Sequence, residues 1–381
     1  MDERIDQQAL SLLEILKAIK KTSRDDAHTL DGTFYTNVAL FEMEYVRLFQ
    51  NEWVCVGHQS EISKKGDYFT YELCGEPLLV YRDQQMRIVV RSNVCRHRFN
   101  LIAKGQGNAR HFVCSYHAWA YDLEGRLVHA PYMDQHKKFD KTKCQLPEIR
   151  SHLWNGYIFV NFNKNATNPD KMLSPLTKIL SKHHLDERVT VEKHEEKWPN
   201  NWKFLIENFM ESYHLNIVHP KSLRPVTPTS LCKKIDFGDT DIPHPFCAYR
   251  AHYPANFPQR EPYPADLDDI DKKSSVLFSI FPTFISTAGP NCSLYMNLRA
   301  ENAEEVTIQW GVMCIDGAQD HPDTKKYIDL VHQFNREDHQ VLANVQKGAH
   351  SRYWQQSPLA SDQLEGTIWD FYRYLAYRLS E

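Results

Sequence analysis

Cys95-Arg96-His97 and Cys114-Ser115-Tyr116-His117 are the two stretches that decide the fold of this chain. Each stretch supplies one Cys and one His, and residues 98–113 separate them. Donors that arrive from two loops in the order Cys, His, Cys, His give two thiolates and two imidazoles at one centre. The spacing therefore predicts paired loops of a small domain that converge on a metal site.

The ligand set favours a [2Fe–2S] cluster in which Cys95 and Cys114 hold one iron while His97 and His117 hold the other. Neutral imidazoles in place of thiolates make such a cluster easier to reduce than an all-Cys cluster. The competing interpretation is a zinc-stabilised binding module. Zinc fingers usually pair like ligands, two Cys and then two His, and the alternating order here fits that pattern poorly.

Composition narrows the class of protein. With 381 residues, 42% hydrophobic and 25% charged, the chain has the balance of a soluble globular protein. A net charge of −4 gives no basic surface for nucleic acid, and no apolar run reaches the roughly twenty residues that span a bilayer. The start, Met1-Asp2-Glu3-Arg4, does not look like a secretory signal. Nine cysteines without a small-domain framework indicate reduced thiols, so we expect a cytoplasmic protein.

The chain changes character near its middle. From Phe49 to about Phe162, short alternating strands separated by glycine turns predict an antiparallel β domain, and residues 163–170 form a polar linker. Beyond the linker, we predict helices over 173–185, 201–213 and about 324–347, strands over 279–286, 293–298 and 306–314, and an irregular lid-like loop over 236–273. Strands and helices without βαβ alternation indicate an α+β fold.

A second group of candidate ligands precedes Pro220. Glu207, Glu211 and His214 are spaced i, i+4 and i+7, so one helix would place them on a shared stripe. Charged groups among apolar neighbours are costly to bury without a metal or another partner. His214 and His219 lie about 140° apart on a regular helix, so we expect that helix to unwind or end between them. Either histidine alone would be interpreted as a surface or core residue.

The late helix suggests a third ligand. Asp338 falls on its apolar stripe, which comprises Val331, Phe334, Val341 and Val345. The neighbouring Glu337 points to the wetter side, towards Gln333. A carboxylate on a buried face needs a metal or a cation. Two His and one carboxylate form the facial triad of mononuclear Fe(II) oxygenases.

Together these motifs resemble the alpha (terminal oxygenase) subunit of Rieske non-haem iron oxygenases, the ring-hydroxylating oxygenase family. The resemblance rests on Asn93–Arg98, Cys114–Trp119, Asn201–Pro220 and the Glu337-Asp338…Val345-Gln346 pattern. It implies an N-terminal helical segment over 1–45 that packs on the catalytic domain, an antiparallel Rieske domain over 46–165, and a helix-grip (START-like) catalytic domain over 166–381.

The resemblance also implies roles for residues. It implies that Cys95, His97, Cys114 and His117 bind the [2Fe–2S] cluster, that His214, His219 and Asp338 bind mononuclear Fe(II), and that Glu211, Asn208 and Tyr213 are catalytic. Glu211 would bridge a cluster histidine of the next subunit of a homotrimer to His214. NAD(P)H would act only indirectly, because no nucleotide-binding glycine motif occurs and a separate flavin or ferredoxin-type reductase would deliver the electrons.

Glu at position 211 resembles the branch that oxidises carnitine, choline, glycine betaine and stachydrine, whereas many ring-hydroxylating members have Asp there. The expected reaction is therefore hydroxylation or oxidative N-dealkylation of a small organic substrate, with a quaternary ammonium compound as the class that this branch implies. The alternatives are a mono- or dioxygenase of an aromatic acid and, more distantly, a non-catalytic Rieske electron carrier.

Two details of the sequence give further expectations. Phe278, Phe281, Phe284 and Tyr295 could form a cation–π cage for the substrate, or could equally be core residues, and Arg224 could hold a carboxylate. Family members often have Pro and Gly where this chain has Arg96 and Phe99. Phe99 is expected not to use the left-handed backbone conformation that Gly offers.

Overall fold

The chain folds into two units, which the computed structural model describes over residues 3–258 and 260–380. One unit is Phe49–Ala166. The other joins the residues up to Leu48 with those from Thr167 onward. Each unit has its own sheets and its own buried side chains.

The unit Phe49–Ala166 is built from short antiparallel strands, as the sequence predicts. They are β1 Val54–His58, β2 Asp67–Leu73, β3 Glu76–Arg82, β4 Ile88–Ser92, β5 Gln106–Asn108, β6 Phe112–Val113, β7 Ala120–Tyr121, β8 Leu127–His129, β9 Arg150–Trp154 and β10 Tyr157–Asn161. They form three sheets, in the orders β1-β10-β9, β4-β3-β2-β5 and β6-β7-β8. The predicted antiparallel β fold of this region is confirmed.

Strand β3 joins the two halves of that unit's core. Leu78 and Val80 pack among aliphatic side chains of the first two sheets. Leu79 and Tyr81 point to the opposite face, as alternation along a strand requires, and pack in the cluster that contains Cys95 and Cys114. Burying one such aliphatic side chain contributes roughly 1.5–3 kcal/mol. The two loops that carry the candidate cluster ligands therefore rest on a packed core.

Helices and one large sheet make up the other unit. The helices are α1 Glu3–Ile19, α2 Val38–Glu44, α3 Pro169–Leu180, α4 Trp202–Phe209, α5 Leu215–Val218, α6 Pro322–Ala349 and α7 Asp362–Leu379. The strands are β11 Arg188–Trp198, β12 Cys232–Lys234, β13 Phe246–His252, β14 Ser274–Ile280, β15 Phe284–Ala288, β16 Cys292–Asn302 and β17 Glu305–Ile315. The sheet is antiparallel, in the order β11-β17-β16-β15-β14-β13-β12.

The helices of this unit pack against the sheet and against one another. Helix α7 contacts β12 and β13, whereas α6 contacts β11 and β16. Helix α4 packs against both α6 and α7, and α1 packs against α7. Asn201 caps the start of helix α4, where its side chain accepts the N–H of Lys203. His321 caps the start of α6, and Pro322 lies in the first turn of that helix. The predicted α+β class is confirmed, and none of the described helices is apolar over a length that would cross a bilayer.

Two boundaries differ from the sequence prediction. The strand expected over 279–286 is two strands, β14 and β15, because Pro282 lies between them and has no N–H to donate to a ladder. The segment 236–273, expected to be an irregular loop, contains β13, whose residues Phe246–Ala251 are largely buried between β12 and β14. The Pro- and Asp-rich composition of the whole segment hides this short strand.

Candidate metal centres and substrate cavity

The two cluster loops share one backbone pattern. In each loop the N–H of the Cys donates to the carbonyl five residues later, and the Cys carbonyl accepts from the N–H four residues later, at 2.8–3.3 Å for Cys95 and Cys114. The fourth residue after each Cys is left-handed, with φ of 58° at Phe99 and 56° at Ala118. The expectation that Phe99 would not adopt this conformation is wrong. Its side chain is 86% exposed, so the turn adds no steric conflict with the core.

The histidine donors of the two loops face one another. His97 Nδ1 and His117 Nδ1 lie 3.1 Å apart, with their ring planes 71° apart. Two nitrogens bound to one metal at about 2.1 Å lie roughly 3–3.4 Å apart. The ring of Trp119 stacks on His97 at 4.8 Å, which holds the imidazole in place. This geometry fits a single iron held by both histidines.

The charge states of these side chains also suit ligation. Burial tends to raise the pKa of the Cys114 thiol, but the Asn100 side chain and the N–H groups of Tyr116 and His117 stabilise the thiolate and bring the pKa below its usual value. Burial, His117 and Arg98 lower the pKa of His97. Metals bind thiolates and neutral imidazoles, so these four side chains fit a Rieske cluster.

In the other unit, the candidate iron ligands come from a broken helical segment. Helix α4 ends at Phe209 and the short α5 starts at Leu215, so His214 precedes α5 and His219 follows it. The expectation that Glu207, Glu211 and His214 share one helical stripe is wrong. Tertiary bonds to α7 replace helical ones here: the Thr367 hydroxyl donates to the Met210 carbonyl, and the Ser212 N–H donates to the Leu364 carbonyl at 3.3 Å.

His214, His219 and Asp338 nevertheless meet. Asp338 Oδ1 lies 3.1 Å from His219 Nε2 and 3.8 Å from His214 Nε2, and the three donor atoms lie within 4.8 Å of one another. His219 Nε2 and Asp338 Oδ1 are buried, and neither has a hydrogen bond of acceptable geometry. Two cis ligands at about 2.1 Å from one ion lie roughly 3 Å apart. These side chains therefore fit a two-His, one-carboxylate metal site.

Glu337 is a residue of this site that the sequence analysis missed. Its Oε2 accepts from His219 Nδ1 at 2.7 Å and from the Ser222 hydroxyl at 2.5 Å, while Oε1 accepts from Gln333 at 3.1 Å. Burial alone would lower the pKa of His219, but Asp338 and Glu337 raise it above its usual value. A metal-binding His usually donates its other N–H to a carboxylate. That rule could have identified Glu337, which directly precedes the predicted ligand.

Glu211 lies beside the candidate metal site. One of its carboxylate oxygens accepts from His214 Nδ1, and the other accepts from the N–H groups of Tyr213 and His214. Glu211 and Asn208 each line two cavities, one of them adjoining the three candidate iron ligands. Tyr213 contributes its backbone N–H, whereas its side chain is 58% exposed and outside the set that lines the cavity.

The cavity at the three candidate iron ligands comprises about 680 Å³ when the space that is open to solvent is included. Its wall is mainly aliphatic and aromatic and includes Tyr249, Tyr253, Tyr327, Phe209 and Phe334. Of the two interpretations of the aromatic residues, the cation–π cage is wrong and the core assignment is confirmed. The buried residues Phe278, Phe281, Phe284 and Tyr295 are absent from the lining, so they are core residues, and Arg224 is exposed and outside it.

Arg260 is the cationic side chain among the residues that line this cavity. Its guanidinium lies 5.4 Å from the ring centre of Tyr253 and 5.6 Å from that of Tyr327, with Phe257 at 5.1 Å. These three rings hold the guanidinium over their faces through cation–π attraction. The sequence analysis missed Arg260 because its distance from the ligands along the chain gives no local signal.

Glu207 belongs to a different cluster from the metal ligands. Its Oε1 accepts from the Tyr35 hydroxyl at 2.7 Å, and Tyr35 lies 3.3 Å from the hydroxyl of Tyr372. Burial raises the pKa of Glu207 to about 8 despite these hydrogen bonds and the nearby Lys203. This carboxyl is therefore part of the scaffold between α4 and α7.

Comparison with known proteins identifies both units. The family model for the ring hydroxylating alpha subunit (catalytic domain) matches residues 184–381, which is more than half of the chain. The family model for the Rieske [2Fe-2S] domain matches residues 52–143. These matches agree with the cluster ligand set and the facial triad described above.

Individual relatives give the same picture. The carnitine monooxygenase oxygenase subunit of Escherichia coli (strain K12) is 34% identical over 198 residues, 51% of this chain and 53% of that protein. The alpha subunit of benzene 1,2-dioxygenase from Pseudomonas putida is 36% identical over 198 residues, 50% of this chain and 44% of that protein. The matched stretch thus spans about half the length of these curated relatives.

A solved structure extends the likeness in fold. The quaternary ammonium Rieske monooxygenase CntA superposes with a TM-score of 0.81 at 23% identity. The superposition covers 94% of this chain and 97% of that one. At this identity the likeness concerns the fold.

Proposed function

We propose, because the chain belongs to the ring-hydroxylating oxygenase alpha-subunit family, that it is the terminal oxygenase component of a multicomponent Rieske non-haem iron oxygenase. The observation that carries this proposal is the convergence of His214, His219 and Asp338 on the wall of one mainly apolar cavity. The proposed setting is the cytoplasm, because disulfides are rare there and the described cysteines form none.

Two separate sets of residues would bind the two metal groups. Cys95, Cys114, His97 and His117 would hold the [2Fe–2S] cluster, which a flavin or ferredoxin-type reductase supplies with electrons from NAD(P)H. His214, His219 and Asp338 would hold Fe(II), which in such a site activates O₂ for insertion into a neighbouring bond. The protein's own task is to fix the ligands and to orient the substrate. Glu337 performs the first part by holding His219 in one tautomer.

Glu211 is the proposed electron bridge between subunits of a homotrimer. Its carboxylate is bonded to His214, and it also lines a second cavity, whose other walls include Tyr35 and Tyr372. We infer that His117 of the neighbouring subunit approaches Glu211 from the side of that cavity. A carboxylate that accepts from both imidazoles would fix their distance and tautomers, as such partners do at other metal sites.

The cavity favours a substrate with a carboxylate. Arg260 can pair with that carboxylate through two parallel hydrogen bonds. The faces of Tyr253 and Tyr327 already carry the guanidinium, so a substrate cation bound there would meet a like charge. Phe209, Phe334 and Tyr249 remain for the other end of the substrate.

We therefore propose a zwitterionic quaternary ammonium acid, bound with its carboxylate on Arg260 and an N-methyl group towards the iron ligands. Two features of the molecule support this class: Glu211 in place of Asp, and an aromatic wall suited to cation–π contact. An aromatic acid is the alternative substrate, because Arg260 and the apolar wall would suit it as well.

Product analysis tests the proposal. Turnover with a reductase and ¹⁸O₂ should release formaldehyde from a betaine, whereas a labelled phenol or cis-diol from an aromatic acid would establish the alternative. Arg260→Met should raise KM for an acid by roughly 10–100-fold, the worth of a charge-assisted contact of 1.5–3 kcal/mol, while Arg260→Lys should recover part of the loss. An unchanged KM in Arg260→Met would exclude the anchoring role. Absence of mononuclear iron, with the cluster intact, would support an electron carrier instead.

A further inference from the structure

A second set of metal-capable side chains lies away from the iron site, on the edge strand β11 and helix α6. Glu192, His194 and His332 place three donor atoms within 4.8 Å of one another. Each side chain is about one-third exposed, at 32%, 38% and 34% respectively. A dissolved ion can therefore reach the donors without opening the fold.

One carboxylate oxygen of this set faces two imidazoles. Glu192 Oε1 lies 2.5 Å from His194 Nε2 and 3.6 Å from His332 Nε2. Glu192 and His194 are two residues apart on β11, so both side chains point from the same face of the strand. His332 reaches them from α6, which contacts β11. The donors thus come from two elements that are distant in sequence.

The two imidazoles are held in place by Trp310 of β17. The rings of His194 and Trp310 stack at 4.5 Å, and His332 meets Trp310 edge-on at 5.0 Å. The Trp310 indole N–H donates to Glu196 at 2.6 Å, which fixes the indole in turn. The two histidines are therefore ordered before any ion binds, so binding loses less conformational entropy.

A cleft of about 550 Å³ gives access to His332. Glu196 and Arg336 both line it, and their opposite charges offset one another. Glu196, Arg336 and Gln340 supply polar groups to this cleft, so it can hold the water that completes an ion's coordination.

We propose that Glu192, His194 and His332 bind a divalent transition ion of the zinc type, at a site separate from the iron centre. Imidazole and carboxylate donors suit Zn²⁺, which takes four ligands and would use a water as its fourth. His332 lies six residues before Asp338, about 9 Å along α6. An ion here would tie β11 to the helix that carries the iron-binding carboxylate.

Zinc titration of the iron-loaded chain tests this proposal. After excess Zn²⁺ and gel filtration, metal analysis should find one zinc per chain with the iron content unchanged, and zinc-edge X-ray absorption should show two imidazoles and oxygen donors without sulfur. The thermal unfolding midpoint should rise by several degrees. Loss of iron as zinc enters, or sulfur in the zinc shell, would overturn the assignment.

Matched variants separate an ion site from a hydrogen-bonded cluster. Glu192→Gln keeps an acceptor oxygen for both imidazoles but loses the charge, and His332→Gln removes one donor; each should bind zinc at least ten-fold more weakly. His350→Gln, which changes an exposed histidine paired with Glu304, should bind as the parent does. Zinc affinity of Glu192→Gln equal to that of the parent would show that the three side chains are only a hydrogen-bonded cluster.

Discussion

The two candidate metal centres are assembled in opposite ways. The cluster ligands come from two short loops with the same backbone hydrogen bonds and the same left-handed residue four positions after the Cys. The candidate iron ligands come from a broken helical segment around α5 and from α6, more than a hundred residues later. The spacing of the ligands along the sequence is enough to predict a local centre, whereas a centre assembled from distant elements depends on the tertiary fold. The predictions below test this difference.

The largest effect is expected at Asp338, since it is the ligand that α6 contributes. Asp338→Asn should lose the mononuclear iron but keep the cluster, and turnover should fall by more than roughly 100-fold, because even outer partners of a metal are worth 10–100-fold. Iron analysis together with the visible spectrum measures both centres at once. Asp329→Asn, an exposed change on the same helix, is the control. Full iron content in Asp338→Asn would remove the residue from the centre.

Glu211 tests whether the two centres are connected. Glu211→Gln should keep all the iron but slow turnover by roughly 100-fold. A neutral amide accepts weaker hydrogen bonds from the two imidazoles than a carboxylate does, so it stabilises them less well during electron transfer. Stopped-flow reoxidation of the reduced cluster reports the transfer directly. Glu211→Asp keeps the carboxylate with one methylene fewer and should lose less. A cluster that reoxidises at the parental rate in Glu211→Gln would exclude the bridge.

Glu337 should matter less than the ligands, because it acts through His219. Glu337→Gln should release iron to a chelator roughly 10–100-fold faster, the usual cost of removing an outer carboxylate. Ser222→Ala removes another hydrogen bond to the same carboxylate and leaves the His219 contact, so its effect should be smaller. Equal iron release from Glu337→Gln and the parent would show that His219 is oriented by other contacts.

Residues of the two centres could be predicted from the sequence where neighbouring residues identify them. The ligands Cys95 and His97 are set by spacing, and Asp338 stands out because it interrupts an apolar stripe. Arg260 gave no such signal, since it reaches the cavity from the segment between β13 and β14. Glu207 was predicted to share a helical stripe with Glu211 and His214 because the helical spacing continues along the sequence. In the folded chain, the segment after Glu207 bonds to Thr367 and its neighbours and does not continue as a helix.

Glu207 tests that correction through pH. Its pKa in the folded chain is about 8, above the ordinary value of 4.5, so it is neutral when folded at a pH where the unfolded chain is ionised. Its contribution to stability is complete below about pH 4.5 and is lost as the pH rises towards 8, at up to about 1.4 kcal/mol per pH unit. The unfolding midpoint of the parent should therefore fall relative to that of Glu207→Gln over this range. Iron content should not change, and Glu14→Gln, a change of an exposed carboxylate paired with Lys17, should give a constant difference. A constant difference for Glu207→Gln as well would contradict the assignment.

The smallest effect is expected in the cluster loops, where Phe99 and Ala118 occupy equivalent left-handed positions. A left-handed conformation costs a residue with a Cβ about 1–2 kcal/mol, and glycine's extra freedom in the unfolded chain costs about 0.5–1 kcal/mol. Phe99→Gly and Ala118→Gly should therefore be neutral or stabilise by up to about 1 kcal/mol, since both side chains are exposed. His111→Gly, at an exposed position without positive φ, should instead destabilise. If both loop variants lose stability as His111→Gly does, the shared left-handed turn is not the native one, and the local centre is less independent of its surroundings than its sequence indicates.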